Sequence, residues 1–350
     1  MKKRGSITAI ALILALTAGI FTGCGGGAGG AGGGDDSGPV VLRFASDSIE
    51  GNIMHELNQQ ICDEVFEKTE GRVKIDYYPA SQLGAYDTVF EELMMGTIDL
   101  AQIPIPEAYD GRTAMLVVPG YARSFEEAKA LFSNDSYMAN TIDGICSELG
   151  VKLMGLALEG FENIASVKPV SDPFVPGKDK KTSCRTSPYE VTRLMVEDLG
   201  YEAVTVAWAE VPTALQTGIV DAWIGGTLMY HYAYTGDIIK YSYVGNLQQV
   251  PYPVVMSQKS YDKLSDPDKK VVEEVISAIC QKCIDMAEEA EAQYASKLED
   301  KGVQVIYATS AQAAKQASYL RENTWPKYEN ILTQEILDGM RKELEGRGYW

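Results

Sequence analysis

The 350-residue chain has few of the side chains that hydrolases and metalloenzymes depend on. It contains two histidines, no Gly-x-Ser-x-Gly elbow, no Walker phosphate-binding loop and no histidine cluster at metal-ligand spacing. We therefore expect no enzyme activity, no cofactor and no metal ion.

Basic residues are also scarce. Lys and Arg number 31 against 49 Asp and Glu, which gives a formal net charge of −18. So acidic a chain is a poor partner for nucleic acid or for anionic lipid. An anionic ligand would need a locally positive site.

Long hydrophobic runs are missing after the first twenty residues, so we expect no transmembrane helix beyond that point. Basic residues at positions 2–4 precede an apolar run at 7–20, which is too short to span a bilayer comfortably. The run ends at Phe21-Thr22-Gly23-Cys24, which resembles a bacterial lipobox with Phe21 in place of the usual Leu. We predict a lipoprotein signal peptide at 1–23.

Cys24 is then the predicted lipidation site and the first residue of the mature chain. An ordinary secretory signal with a chance cysteine remains the alternative. Residues 24–39 are almost entirely Gly, Ala, Asp and Ser, a composition that cannot form a core. They predict a flexible tether that holds an extracytoplasmic domain close to the cell membrane.

The remaining cysteines do not form a disulfide framework. They are odd in number and irregularly spaced, namely Cys62, Cys146, Cys184, Cys280 and Cys283. The last two lie three residues apart in a helical run, which is a weak metal signal without a second pair. We expect plain core cysteines.

Two stretches alternate strands and helices. The first predicts strands at 40–45, 73–78 and 98–103 with helices at 53–69 and 86–95 between them. The second, residues 184–223, reads as strand, helix, strand, helix, strand. This order predicts an α/β protein with two lobes, each built on a mixed, mostly parallel sheet.

The lobe boundary is predicted near residue 163. A helix at 124–149 and a strand at 151–158 lead to a loop at 160–163. We assign 40–162 plus 251–287 to lobe I and 163–250 plus 288–350 to lobe II.

One element is unusually long. Residues 268–301 contain no Pro and no Gly, after a good helix start at Ser265-Asp266-Pro267 and before a stop at Gly302. A single helix of about 50 Å would span both lobes. Two helices with an unmarked kink remain the alternative.

Arg185 stands at the end of a predicted strand and just before a predicted helix. A helix N-terminus and a guanidinium both favour an anion. The sequence therefore predicts an anion-binding corner here.

The order of these patterns resembles the extracytoplasmic solute receptors of TRAP transporters, the DctP-type family. The similar segments are EKTEGRVKIDYYPASQLGAYDTVFEELMMGTIDLA in the first half and CR with LGYEAVTVAWAEVPTALQTGIVDAW in the second. The resemblance implies a periplasmic-binding-protein-like fold whose hinged cleft closes on a small organic acid. It also implies delivery of that acid to the membrane permease subunits.

The resemblance implies that Arg185 holds the ligand carboxylate, although an arginine that merely supports an interlobe surface is the alternative. Trp208 stands where the family commonly has Phe in the cleft, with a core tryptophan as the alternative. Trp223 and Tyr86 are further candidate ligand contacts. Tyr230 and His231 follow as candidate rim contacts, and we expect a surface histidine.

Three positions depart from the family pattern. Glu162 replaces a second arginine, Gly225 replaces an asparagine, and Asp47 occupies a position that is often neutral. Simple drift at the cleft rim would explain them. The sharper hypothesis is a pocket where Arg185 holds a carboxylate while Glu162 or Asp47 receives an ammonium or hydroxyl groups.

A second carboxylate facing Glu162 would be costly once desolvated. We therefore favour a monocarboxylate, a hydroxy or sugar acid, or an amino-acid-like ligand over a plain dicarboxylate. A solute receptor for an ABC transporter or a sensor kinase is the alternative function.

Overall fold

The computed structural model describes residues 38–350, of which Pro39–Trp350 form one compact unit. The predicted signal peptide, lipidated Cys24 and nearly all of the tether lie outside the described residues. Within 38–350, every helix is too short or too polar to cross a membrane.

The described chain is α/β, as predicted. Its strands are β1 Val40–Ser46, β2 Val73–Tyr78, β3 Leu100–Gln102, β4 Val151–Ser166, β5 Ser183–Thr186, β6 Glu202–Thr205, β7 Ala222–Ile224, β8 Tyr241–Ser257 and β9 Gln304–Tyr307. Its α-helices are α1 Ile53–Lys68, α2 Tyr86–Met95, α3 Phe125–Leu131, α4 Tyr137–Glu148, α5 Glu190–Asp198, α6 Val211–Thr217, α7 Leu228–Thr235, α8 Gln258–Asp262, α9 Asp266–Asp300, α10 Ser310–Asn323 and α11 Glu329–Arg347. Short 3₁₀ helices cover Gly111–Val117, Trp208–Glu210 and Trp325–Tyr328.

The strands form one sheet in the order β2-β1-β3-β8-β4-β7-β5-β6, with β9 also paired to β8. Parallel pairs make up each end of the sheet, β2-β1-β3 on one side and β7-β5-β6 on the other. The long antiparallel pair β4–β8 joins the two ends. Both repeated βαβ patterns of the sequence are therefore present, one in each parallel group.

Strand β4 corrects the predicted loop at 160–163. It continues through these residues to Ser166 because β8 pairs with it along its whole length, with irregular register at three places. Glu162 consequently lies opposite Gln248 in a strand rather than in a loop.

Strand β8 has no counterpart among the predicted elements. It contains Pro251 and Pro253, which ordinarily argue against a central strand. The structure accommodates them because β3 pairs with β8 only at 254–256 and β9 only at 241–244, which leaves one side of the proline segment unpaired.

The predicted helix at 124–149 is two helices, α3 and α4. The break contains Ser133, Asn134, Asp135 and Ser136, whose polar side chains compete with the helical backbone. Ser136 then caps α4, because its hydroxyl accepts a hydrogen bond from the Ala139 amide at 3.1 Å.

Helix α9 is continuous over 35 residues, so the single long helix is confirmed. The Ser265 hydroxyl accepts a bond from the Asp268 amide at its start, and Gly302 follows its end with a φ of +82°. Cys280 and Cys283 are fully buried on its inner face, and the Cys283 thiol donates to the Leu158 carbonyl at 3.4 Å. They are core cysteines.

The hydrophobic core has separate clusters on the two ends of the sheet. The division into two lobes with the boundaries given above stays a prediction, since 39–350 form one compact unit. The packing of α11 differs from the predicted assignment of residues 288–350 to lobe II. Leu332, Met340 and Leu344 of α11 join the cluster that contains Met115 and Phe132, which belong to the predicted first lobe.

Candidate ligand-binding site

Arg185 lies on β5, at the edge where the parallel strands of its group end. Its side chain is only 2% exposed. The Nε atom donates to the Val206 carbonyl at 2.8 Å, and Nη1 donates to the Ile224 carbonyl at 3.0 Å. Val206 directly follows β6 and Ile224 is the last residue of β7, so the two neighbouring strands hold the guanidinium in place.

The charge of Arg185 has no close counter-ion. No carboxylate among residues 38–350 lies within ion-pair distance of it. Burial lowers the pKa of Arg185, while the negative charge of Glu162 works in the opposite direction. A buried guanidinium stays protonated in proteins, so the site presents a cation that lacks an anion.

Gly225 leaves room beside this guanidinium. Its φ is +144°, and an added Cβ would lie 2.8 Å from Arg185 Nη1. Next to it, the Gly226 amide donates to Glu162 Oε1 at 3.4 Å. The predicted residues Gly225 and Glu162 therefore both lie near Arg185, on the turn that follows β7 and on the adjacent β4.

Aromatic rings form a wall on one side of Arg185. Its Cζ lies 5.7 Å from the centre of the half-buried Trp208 ring. Trp208 in turn packs against Trp223, Tyr230 and Tyr234 with ring centres 5.0–5.8 Å apart. Trp223 is fully buried and belongs to the core, with its Nε1 left without a hydrogen-bond partner.

Four buried carboxyl groups, here called the acid cluster, lie on β4 or beside it. They are Asp47, Glu159, Glu162 and Glu291. Burial raises the pKa of Asp47 and Glu162 to about 7 and that of Glu159 and Glu291 to about 8. The charges of Asp47 and Glu291 add to the upward shift of the Glu159 pKa, so Glu159 lies near both.

Hydrogen bonds to the acid cluster are incomplete. Asn52 Nδ2 donates to Glu159 Oε2 at 2.9 Å, and the Leu228 amide donates to Glu291 Oε1 at 3.1 Å. In contrast, Asp47 Oδ1, Glu159 Oε1 and Glu162 Oε2 are buried atoms without a partner. Each could accept a bond from a ligand.

Asn52 connects three parts of the fold at this point. Its Oδ1 caps α1 by accepting from the Met54 amide at 2.7 Å. Its Nδ2 reaches both Glu159 on β4 and the Tyr230 hydroxyl on α7, the latter at 3.3 Å. The first parallel group and α7 are thus in direct contact across the site.

Tyr86 makes a second contact between the two ends of the sheet. It is partly buried at the start of α2, and burial raises its pKa while the nearby hydroxyl of Tyr189 lowers it. Tyr189 lies just before α5. Glu107 is near both, and burial raises its pKa to about 7.

The structure brings together most of the residues predicted for the site. Arg185, Trp208, Trp223, Gly225 and Glu162 form one group, while Asp47 and Tyr86 approach it from the other end of the sheet. Their part in ligand binding stays a prediction.

The prediction that His231 lies at the surface is wrong. His231 is completely buried, its ring centre lies 4.9 Å from that of Trp223, and its Nδ1 lies 3.2 Å from the Ser242 hydroxyl. Burial lowers its pKa to about 3. It therefore packs behind the aromatic wall as a neutral side chain.

Sequence reasoning missed Glu159 and Glu291. Each carried a signal, because a charged residue interrupts an otherwise apolar pattern. Glu159 stands within the buried run of β4, and Glu291 follows Ala287 and precedes Ala295 on the buried face of α9. An added Cβ on Gly160 would lie 2.7 Å from Glu291 Oε1, so the two acids meet at this glycine.

A small cavity lies beside the acid cluster. It measures about 10 Å³ and is lined by residues that include Asn52, Glu159, Thr227, Glu291 and Tyr294. This is room for about one water molecule. This cavity is therefore too small for an organic acid.

A mixed α/β sheet with an unpaired buried cation at the ends of its parallel strands defines a protein that binds a small anion in a protected site. The family model for bacterial extracellular solute-binding protein, family 7 (DctP), matches residues 44–332. The chain belongs to this family.

Individual relatives are also solute-binding proteins. The sialic acid-binding periplasmic protein SiaP of Vibrio cholerae is 22% identical over 264 residues, which cover 73% of this chain and 79% of that protein. A TRAP periplasmic solute binding protein from Desulfovibrio salexigens, solved with bound orotic acid, has a TM-score of 0.77 at 19% identity and covers 87% of this chain and 99% of its own. One from Rhodoferax ferrireducens with bound malonate has a TM-score of 0.77 at 20% identity and covers 88% of this chain and 100% of its own. The predicted periplasmic-binding-protein-like fold is confirmed.

Proposed function

We propose that this protein is the extracytoplasmic receptor of a TRAP transporter. It captures a small organic acid between the two ends of the sheet and delivers it to the membrane permease subunits. It carries out no bond chemistry, and Cys24 anchors it to the cell membrane through a lipid.

The observation that carries this proposal is the buried guanidinium of Arg185. Two backbone carbonyls orient it, and no carboxylate of residues 38–350 neutralises it. A ligand carboxylate supplies the missing charge in a geometry that suits a guanidinium. The acids bound by the related solved receptors, orotic acid and malonate, belong to the same chemical class.

Binding proceeds by opening and closing of the site. The contacts from Asn52 to Tyr230 and from Tyr86 to Tyr189 join the two ends of the sheet, and the cavity lined by Asn52 and Glu159 is smaller than an organic acid. A ligand that touches both ends of the sheet favours the closed form, because the ligand can contact both ends at once only in that form.

The test is a thermal-shift screen of organic acids, followed by calorimetry of the best binder. Ligand binding to the folded protein raises its melting temperature. Arg185→Met then removes the cation, and we expect a loss of about 2–5 kcal/mol in binding, or roughly 30- to 4,000-fold in Kd. Arg193→Met is the matched control, since this arginine pairs with Glu190 and Glu197 on the exposed face of α5.

Unchanged affinity in Arg185→Met would contradict the assigned anchor. The lipid anchor is tested separately by Cys24→Ser, which should abolish incorporation of a labelled fatty acid and release the protein from the membrane fraction. Release without any change in labelling would refute lipidation at this residue.

A further inference from the structure

The ionisable groups buried at the site are mostly acids. Arg185 is the cation, whereas the acid cluster contributes four carboxyl groups. None of the four forms an ion pair with a Lys or Arg among residues 38–350. An added carboxylate from the ligand neutralises Arg185 and leaves the acid cluster without a counter-charge.

The unpartnered oxygens show where a counter-charge fits. Glu159 is only 3% exposed, and its Oε1 is buried without a hydrogen bond. Asp47 Oδ1 and Glu162 Oε2 are likewise buried and have no hydrogen-bond partner. Leaving such oxygens unpaired costs about 1–3 kcal/mol each, so a ligand that donates to them gains affinity.

Glu162 is the member of the cluster nearest to the carboxylate anchor. The Gly226 amide holds its Oε1, and Gly225 beside it approaches Arg185 Nη1. The charges of Arg185 and Glu162 also influence each other, although the two side chains form no ion pair. A cationic and an anionic position therefore lie side by side within one site.

We propose that the ligand carries both a carboxylate and an ammonium group, with the carboxylate on Arg185 and the ammonium on Glu162. This inference rests on the proposed function, because it names the chemical class of the acid that the receptor captures. An ammonium group offers three N–H donors and one positive charge. The face of Trp208 provides a further surface that attracts a cation.

Other acids satisfy the site less completely. Hydroxyl groups of a sugar acid donate to the same oxygens but bring no charge. A dicarboxylate adds a negative charge, so it binds only if cluster carboxyls take up protons. The three classes therefore differ in a measurable quantity, the number of protons exchanged with buffer on binding.

The experiment uses matched series that share one carbon skeleton. The first is L-alanine, L-lactate and propionate; the second is L-leucine, 2-hydroxyisocaproate and isocaproate; the third is 4-aminobutyrate, 4-hydroxybutyrate and succinate. D-gluconate represents the sugar acids. We expect the amino member of at least one series to bind at least tenfold more tightly than its partners.

Equal or tighter binding by the hydroxy acids, the plain acids, succinate or gluconate overturns the inference while leaving the proposed function intact. If no compound binds, both fail. Calorimetry at pH 7 in phosphate and in Tris measures proton exchange for the best binder. Release of protons supports the inference, because an ammonium drives the acid cluster to ionise, and uptake of protons contradicts it.

Glu162→Gln provides the structural control on the assigned position. We expect it to weaken binding of the amino compound at least tenfold and to reduce the number of protons released. Glu197→Gln, on the exposed face of α5, should change neither. If Glu162→Gln does not fold by circular dichroism, Glu162→Met is measured in its place, and full retention of amino-acid affinity in the folded variant overturns the inference.

Discussion

Glu159 makes the stability of this protein depend on pH in a way that one substitution should remove. The side chain is 3% exposed, and burial raises its pKa from 4.5 to about 8. The folded protein therefore binds a proton at this site that the unfolded chain releases. The stability that it contributes is fully present below about pH 4.5 and is lost as the pH rises through about 8.

The size of this effect follows from the two pKa values. Between pH 5 and pH 9, an ordinary glutamate in the unfolded chain is already ionised, whereas Glu159 in the folded protein loses its proton only near the end of the range. The difference amounts to about 4 kcal/mol of unfolding free energy at 1.36 kcal/mol per pH unit. Glu159→Gln keeps an acceptor for Asn52 Nδ2 but cannot ionise.

We expect the wild type to lose about 4 kcal/mol more than Glu159→Gln between pH 5 and pH 9. Urea unfolding followed by tryptophan fluorescence at pH 5, 7 and 9 measures this. Asp47 and Glu291 contribute in the same direction in both proteins, so they cancel in the comparison to first order. Glu322→Gln on the exposed face of α10 is the matched control and should follow the wild type. Parallel curves for wild type and Glu159→Gln would refute the reasoning.

Three further substitutions test other features. Gly225→Ala forces a side chain into a φ of +144° and against Arg185 Nη1, so we expect a loss of about 1–3 kcal/mol and weaker ligand binding; a wild-type Kd would contradict the close approach. Gly144→Ala on α4 meets open space and should stabilise the fold by about 0.5–1 kcal/mol in the same urea assay, with any destabilisation counting against the helix. Ser265→Ala removes the cap of α9 and should lower the unfolding free energy by about 1 kcal/mol, whereas Ser265→Thr keeps a hydroxyl for the Asp268 amide and carboxylate and should stay close to the wild type; equal stability of both variants would show that the cap on Asp268 is unimportant.

The local elements were predictable because their signals are local. The helix at 53–69 begins after Asn52 and the long helix begins after Ser265, and in both cases a side chain caps the first turn. The alternation of strands and helices likewise identified the parallel groups. These features depend on residues three or four positions apart in the chain, so no tertiary information was needed.

Pairing between distant segments was not predictable in the same way. Strand β8 became visible only through its partner β4, because its prolines argue against a strand when it stands alone. The same pairing extended β4 through the predicted loop and moved Glu162 onto the sheet. The burial of His231 also depends on Trp223 and Ser242, which no spacing in the sequence connects to it.

The sequence by itself determined the α/β class, the long helix, the acidic character of the chain and the position of Arg185 at the end of a strand. Tertiary structure decided which groups surround that arginine. It placed Glu159 near Glu291 and Asp47, although these acids come from β4, from α9 and from the residue after β1. The electrostatic character of a site depends on distance and burial, and both are set only when the chain has folded.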